Sequence, residues 1–194
     1  MIIPKVTVPE GELGPWAIKR FEVSEEHSKL CSLRSMFHPL ARGRVPAGRY
    51  TKLTRNGSII MSDTPDEMRD HYDFVRRAHG HVLINGLGLG MALGAVLAKP
   101  EVERVTVVEI DRDVIALVGG HYACGRLHII QASAYDYQPY PRNRYGAVWH
   151  DVWDNLCADN LPEMTALKRK YGRRCDWQGC WGEAECRAAK KRRF

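Results

Sequence analysis

No stretch of the sequence approaches about 18 consecutive apolar residues, so no membrane-spanning helix is expected. The first residues, Met1-Ile-Ile-Pro-Lys5, lack a basic segment followed by a long apolar run, so no secretory signal is expected either. None of the six cysteines (Cys31, Cys124, Cys157, Cys175, Cys180 and Cys186) forms a Cys-x-x-Cys pair. The last three are spaced five and six residues apart, too loosely for a usual zinc knuckle. Reduced thiols in a cytoplasmic protein, with no metal site, are the expectation. Low complexity and internal repeats are also missing. With 44% hydrophobic and 27% charged residues among 194, a mainly disordered or collagen-like chain is excluded, and a globular domain is left.

A general basic character is missing too, despite a formal charge of +6. From Lys168 to Phe194 the chain has 10 Lys/Arg and 3 Asp/Glu, so the excess belongs to this end and the body is near neutral.

Two units are expected, an N-terminal β segment over residues 1–62 and an α/β domain over 63–194. In the first, Trp16 to Val23 reads as a strand. Tyr50 to Arg55 and Ser58 to Ser62 flank Asn56-Gly57, a dipeptide that tolerates φ > 0 and so marks a tight hairpin. Asp63 or Thr64 then suits the cap of a helix opening at Pro65 and running to about Ala78. In the second, strands at His81–Ile84, Arg104–Ile110, Leu127–Gln131 and Tyr145–His150 alternate with helices at Met91–Ala98, Asp111–Gly119 and Asn160–Tyr171. A short fifth strand near Arg174–Gln178 and a terminal helix over Glu183–Arg193 complete the pattern. Such alternation implies a parallel sheet covered on both faces, a Rossmann-like α/β fold.

Three places carry candidate chemistry. Asn85-Gly86-Leu87-Gly88-Leu89-Gly90 joins the first parallel strand to its helix, and glycines there let backbone approach a ligand, or simply pack closely. Glu109 ends the next strand, where a carboxylate beside the glycine turn can accept both hydroxyls of a ribose. Asp151 closes the fourth strand, with His150 before it and Asp154 three residues on. Ligands of open α/β sheets sit beyond such strand ends, and a carboxylate there can hold an amine or take a proton. Asp154 is equally suited to capping the helix that follows.

Val82 to Gly90, Val105 to Asp111 and Tyr145 to Asp151 together resemble the class I S-adenosylmethionine-dependent methyltransferases, in particular their spermidine-synthase-like branch. Arg55 to Met68 resembles that branch's hairpin and helix entry. The chain also has the look of small proteins encoded by phages or prophages. The resemblance covers about residues 50–155 and implies S-adenosylmethionine as cofactor. Asn85, Gly86, Leu87, Gly88 and Gly90 would then lie along the methionine part. Glu109 would bind the ribose and Ile110 would lie against the adenine. Ser133 and Ala134 would stand where the adenine amino group is read. Asp151 would face the sulfonium and the acceptor, assisted by His150 and Asp154.

Departures from the family pattern are equally specific. Leu89 stands where aminopropyltransferases place an aspartate, Ser133 replaces the adenine-reading acid, and Asn85 replaces the acid that often opens the glycine motif. His150-Asp-Val-Trp153 stands where amino-group nucleic-acid methyltransferases have Asn/Asp-Pro-Pro-Tyr. After Asp151 too few residues remain for a seven-stranded core. About five parallel strands are expected, completed by the N-terminal segment or by a second subunit, which makes a homodimer an open alternative. Trp177 and Trp181 suit core packing or a subunit contact. Lys168-Arg-Lys170, Arg173-Arg174 and Lys190 to Arg193 suit a solvated face, or a nucleic-acid contact beside tryptophan. The leading expectation is a methyltransferase-like enzyme acting on a small or amine-bearing acceptor. The alternatives are a non-catalytic interaction protein on the same fold, and an aminopropyltransferase-like or cofactor-degrading enzyme.

Overall fold

The computed structural model describes residues 3–30 and 45–192. Cys31 and Arg193, which entered the expectations above, lie outside the described residues.

The N-terminal part forms a four-stranded antiparallel sheet in the order β1 (Gly11–Leu13), β2 (Trp16–Val23), β3 (Gly48–Arg55), β4 (Ser58–Ser62). The β3–β4 turn is the expected one, with Asn56 at φ 50° and Gly57 at φ 81°. Trp16, Ile18 and Leu53 point inward from β2 and β3. Asp63 is not a helix cap. It is buried, and its carboxylate accepts the Thr51 N–H (2.6 Å) and the Val6 N–H (3.2 Å), tying β3 to the N-terminal stretch of chain. Thr64, the other expected residue, stands at the N-cap, without a side-chain capping bond, and Glu67 ties the first helical turn to the end of β4. Glu67 reaches back to the Ser62 N–H (2.7 Å) and hydroxyl (2.6 Å).

The second sheet is parallel: β5 (Gly80–Asn85), β6 (Val102–Glu109), β7 (Leu127–Gln131), β8 (Tyr145–His150) and β9 (Cys175–Cys180), in the order β7-β6-β5-β8-β9. This is a Rossmann-like α/β arrangement, with five parallel strands among the described residues, beside a small antiparallel sheet. The strand order changes direction at β5, which pairs with β6 on one side and β8 on the other. The crevice this opens at the carboxyl ends is where such sheets bind ligands. β8 is buried along its whole length, as a central parallel strand must be. Its outer neighbour β9 pairs with no further strand among the described residues, and the N-terminal sheet does not extend it, contrary to one expectation.

The helix expected over 65–78 is broken into Pro65–Asp70 and Tyr72–Arg77. At the break His71 sits edge-on to Trp149, with ring centroids 5.7 Å apart, while Phe74 stacks on the same indole at 5.4 Å. Trp177 stacks on Trp149 at 6.4 Å, so the first of the two late tryptophans is a packing group. One apolar cluster joins both sheets, taking Ile3, Trp16 and Leu53 from one part and Phe74, Val82, Leu93 and Trp149 from the other. The five described cysteines are free thiols. Among the described residues no helix is long and apolar enough to cross a membrane.

Candidate functional site

A cavity of about 500 Å³ opens at the carboxyl ends of β5, β6 and β8 and is roofed by the β3–β4 hairpin. That volume suits a small-molecule ligand. Of the residues singled out from sequence, Gly86, Gly88, Glu109, Ile110, Ser133, Ala134, Asp151 and Asp154 line it. Asn85, Leu87, Gly90 and His150 do not.

The floor is the glycine turn. Gly86 adopts φ +98°, and a Cβ there would enter the Asp151 carbonyl. Gly88 adopts φ +50°, and a Cβ would enter the Met61 thioether. At Gly86 only glycine meets both demands, backbone sign and space, while at Gly88 the positive φ favours glycine and the flexible Met61 tip could give way. Gly90 has its own role, because a side chain there would enter the Tyr122 ring, whose hydroxyl donates to the Leu89 carbonyl (3.0 Å). The Leu89 N–H donates to Met61 Sδ at 3.0 Å. A thioether is a weak acceptor on a flexible stem, so this N–H is held by a group that a ligand oxygen would displace at small cost.

Glu109 links the turn to β6. Its carboxylate accepts the Leu87 N–H (2.8 Å) and the Asp111 N–H (2.9 Å) while also lining the cavity. A carboxylate has about four lone-pair sites, so acceptor capacity is left for a ligand. Burial pushes its pKa up, against the backbone hydrogen bonds that hold it down. Asp111 caps the helix Arg112–Val118 by accepting the Asp113 N–H (2.8 Å), and its second oxygen accepts from the Trp16 indole (2.7 Å). Ile110 stands beside it, 68% exposed, an apolar face open to a flat ring. Ser133 Oγ accepts the Tyr135 N–H (3.2 Å) and so braces its own turn.

Asp151 lies at the far wall, its N–H bonded to the Asn85 carbonyl (2.8 Å). Burial pushes its pKa up to about 7, reinforced by the Glu67 charge and further by those of Asp70 and Glu109, with the Trp149 N–H opposing. Asp154 is at the rim, paired with Arg55 at 3.2 Å. Both partners are about half exposed, so the pair positions Arg55 more than it stabilises the fold. Asn85 and His150 form a buried couple beneath the cavity, with Asn85 Nδ2 and His150 Nδ1 2.8 Å apart. Burial pushes His150 down to about 4, so it is neutral and accepts that hydrogen bond at Nδ1.

Sequence reasoning missed four contributors. Arg55, Met61, Glu67 and His71 come from the hairpin and the broken helix and line the cavity with the rest. His71 is 2% exposed, its Nδ1 has no hydrogen-bond partner, and burial pushes its pKa down to about 4. The Trp181 indole donates to Asp70 (3.0 Å) at the same wall. Five carboxyl groups (Glu67, Glu109, Asp111, Asp151, Asp154) and one guanidinium (Arg55) line the cavity, so acidic groups predominate in its wall.

No protein-family model and no curated protein matches the chain. Solved structures resemble it at low identity. The CcbJ methyltransferase from Streptomyces caelestis is 19% identical over 58% of this chain and 46% of its own, with a TM-score of 0.45. Spermidine synthase from Thermotoga maritima is 18% identical over 73% and 45%, with a TM-score of 0.42. A putative methyltransferase from Thermoplasma acidophilum is 20% identical over 48% and 40%, with a TM-score of 0.36. The matches span less than half of each of these three chains. Likeness of this degree assigns no activity.

Proposed function

We propose that the cavity binds S-adenosylmethionine and that the protein is a methyltransferase-like enzyme acting on a small, amine-bearing acceptor. The observation that carries this reading is the pairing of an acidic cavity with Glu109 at its floor, beside a glycine turn in which Gly86 and Gly88 hold positive φ and Gly86 has room for no side chain.

The residues fit the cofactor in charge and shape. Glu109 keeps acceptor capacity for a ribose diol. Ile110 offers an apolar face to adenine. The excess of carboxylates suits a sulfonium. Met61 must swing off Gly88 to admit an amino-acid tail, and the Leu89 N–H then becomes available to its carboxylate. When bound, the cofactor supplies a methyl group already activated on sulfur, so the protein need only align a nucleophile.

Asp151 is the group placed to manage the acceptor's proton. An ammonium must lose a proton before its nitrogen can attack, and a carboxylate with a pKa near 7 is poised to take that proton at neutral pH. Glu67 and Asp70 raise the proton affinity of Asp151. Asp154, held by Arg55, binds a second positive group at the rim. His150 serves from beneath, keeping Asn85 and the end of β5 in place. Incubation with S-adenosylmethionine and a pool of di- and polyamines, read by mass spectrometry, tests this directly. Methylated amine formed by the wild type and lost in Asp151→Asn supports the reading, and no methylated product contradicts it.

A second reading is a protein that keeps the fold without turnover. The Met61 thioether seated over Gly88 favours it, because it occupies the space a cofactor tail would need. That reading predicts a binding partner and no product from any acceptor.

A further inference from the structure

The parallel sheet brings together two arginine-rich segments that are distant in sequence. Tyr145 opens β8 and Cys175 opens β9, and the two residues are paired in register. The residues just before each strand therefore lie side by side: Arg142 and Arg144 on one, Arg173 and Arg174 on the other. The helix Leu161–Tyr171 ends at the same place and adds Arg169 and Lys170. These six cations line one open surface depression. It lies at the amino ends of the strands, the opposite end from the candidate cofactor cavity. Along the six residues of β8 that separation is about 20 Å.

The cations divide into two groups. Arg174 donates to the Tyr140 carbonyl (3.2 Å) and the Pro141 carbonyl (3.0 Å), and Lys170 donates to the Ala134 (3.1 Å) and Tyr135 (2.8 Å) carbonyls. These two hold the loop against the helix. Arg144 reaches Asp176 at 3.4 Å, and no acidic side chain lines the depression. Arg142, Arg169 and Arg173 are exposed, and their guanidinium groups have no partner among the described residues. Six like charges with one carboxylate beside them repel one another unless an anion joins them. Tyr140 stands in the same loop with its ring exposed, 77% of the residue being accessible. Its carbonyl accepts from Arg174, and it directly precedes Pro141 and Arg142, which line the depression.

We infer that this depression is a docking surface for single-stranded nucleic acid, with Arg142, Arg169 and Arg173 on phosphates and Tyr140 stacked on a base. Phosphates account for the unpaired guanidinium groups, which present flat, two-pronged donors. The exposed ring is the feature that separates this partner from an acidic protein, because base stacking uses an aromatic face and a carboxylate does not. The inference does not depend on the cofactor assignment, since it uses none of the cavity residues.

The test is fluorescence anisotropy of the full chain with a labelled single-stranded oligonucleotide of about 12 nucleotides, between about 0.05 and 0.2 M salt. The wild type should bind with an affinity that falls steeply with salt. Arg142→Ala/Arg169→Ala/Arg173→Ala should weaken binding at least about tenfold and reduce the salt slope by about two, near 0.7 for each phosphate no longer neutralised. Tyr140→Ala should weaken binding by about tenfold while leaving the salt slope unchanged. All four side chains are exposed, so the thermal midpoint should not move. Lys190→Ala/Lys191→Ala should bind as the wild type does. Absence of binding at low salt, an unaffected triple variant, or loss of binding in the Lys190/Lys191 variant overturns the inference. Equal competition by polyglutamate, with no effect of Tyr140→Ala, assigns the surface to acidic proteins and overturns it as well.

Discussion

Replacing Asp151 by asparagine isolates the electrostatic stress at the far wall of the cavity. The Asp151 carboxyl is pushed up from its ordinary value of 3.8 to about 7 by burial and the neighbouring carboxylates. Between these two values the native state keeps a proton that the unfolded chain has released. Stability therefore falls as pH rises from about 4 to about 7, then levels off. A rise of about three pH units, at about 1.4 kcal/mol each, amounts to roughly 4 kcal/mol. Asparagine has nearly the same shape and no charge, so it should be stable where the ionised aspartate is strained. Chemical denaturation of both proteins at pH 4.5 and pH 8 reads this difference. We expect the two to be similar at the lower pH and Asp151→Asn to be more stable by about 3–4 kcal/mol at the higher one. A wild type and variant with parallel stability profiles across that range would refute the reasoning. So would a variant less stable than the wild type at pH 8.

Other outcomes follow from the same geometry. His71 and His150 are buried neutral with pKa values near 4, below that of the unfolded chain, so they add a loss of stability as pH falls from about 6.5 toward 4. Thermal melts of His150→Gln should show a shallower acid slope than the wild type. Gly86→Ala forces a side chain into the Asp151 carbonyl at a positive φ and should cost about 2–5 kcal/mol, read by denaturation. Gly57→Ala, also at positive φ but in open space, should cost about 1 kcal/mol. Phe74→Ala removes a fully buried ring stacked on Trp149 and should cost about 3–5 kcal/mol. Met61→Ala should tighten S-adenosylmethionine more than adenosine, since only the former has a tail that competes with the thioether for the Leu89 N–H. Equal effects on both ligands, measured by titration, would contradict that.

The legible parts of the molecule are those set by local rules. Asn56-Gly57 announced the β3–β4 hairpin because its φ values demand such residues. The alternation of apolar runs and helices announced five parallel strands, and the glycine turn and Glu109 marked the floor of the cavity. The rest of the site depends on contacts distant in sequence. Arg55, Met61 and Glu67 reach the cavity because the hairpin and the first helix dock over the carboxyl ends of another sheet. His71 reaches it because its helix breaks there. His150 and Asp151 are adjacent in sequence, yet successive side chains of extended chain point to opposite faces. One is consequently buried beneath the cavity and the other lines it. Asp63 looked like a helix cap from its position before Pro65, but the N–H groups of Thr51 in β3 and of Val6 in the N-terminal stretch claimed its carboxylate.

The central claim is that the Glu109 cavity takes an adenosyl sulfonium. Isothermal titration of the purified protein with S-adenosylmethionine and S-adenosylhomocysteine measures it. Glu109→Gln is the informative variant, because glutamine keeps an acceptor for the Leu87 or Asp111 N–H while losing the charged partner of the ribose hydroxyls. The account predicts micromolar binding of S-adenosylmethionine to the wild type and a weakening of about tenfold or more in the variant, with an unchanged fold by circular dichroism. Absence of binding to the wild type, or equal binding to both proteins, would contradict it.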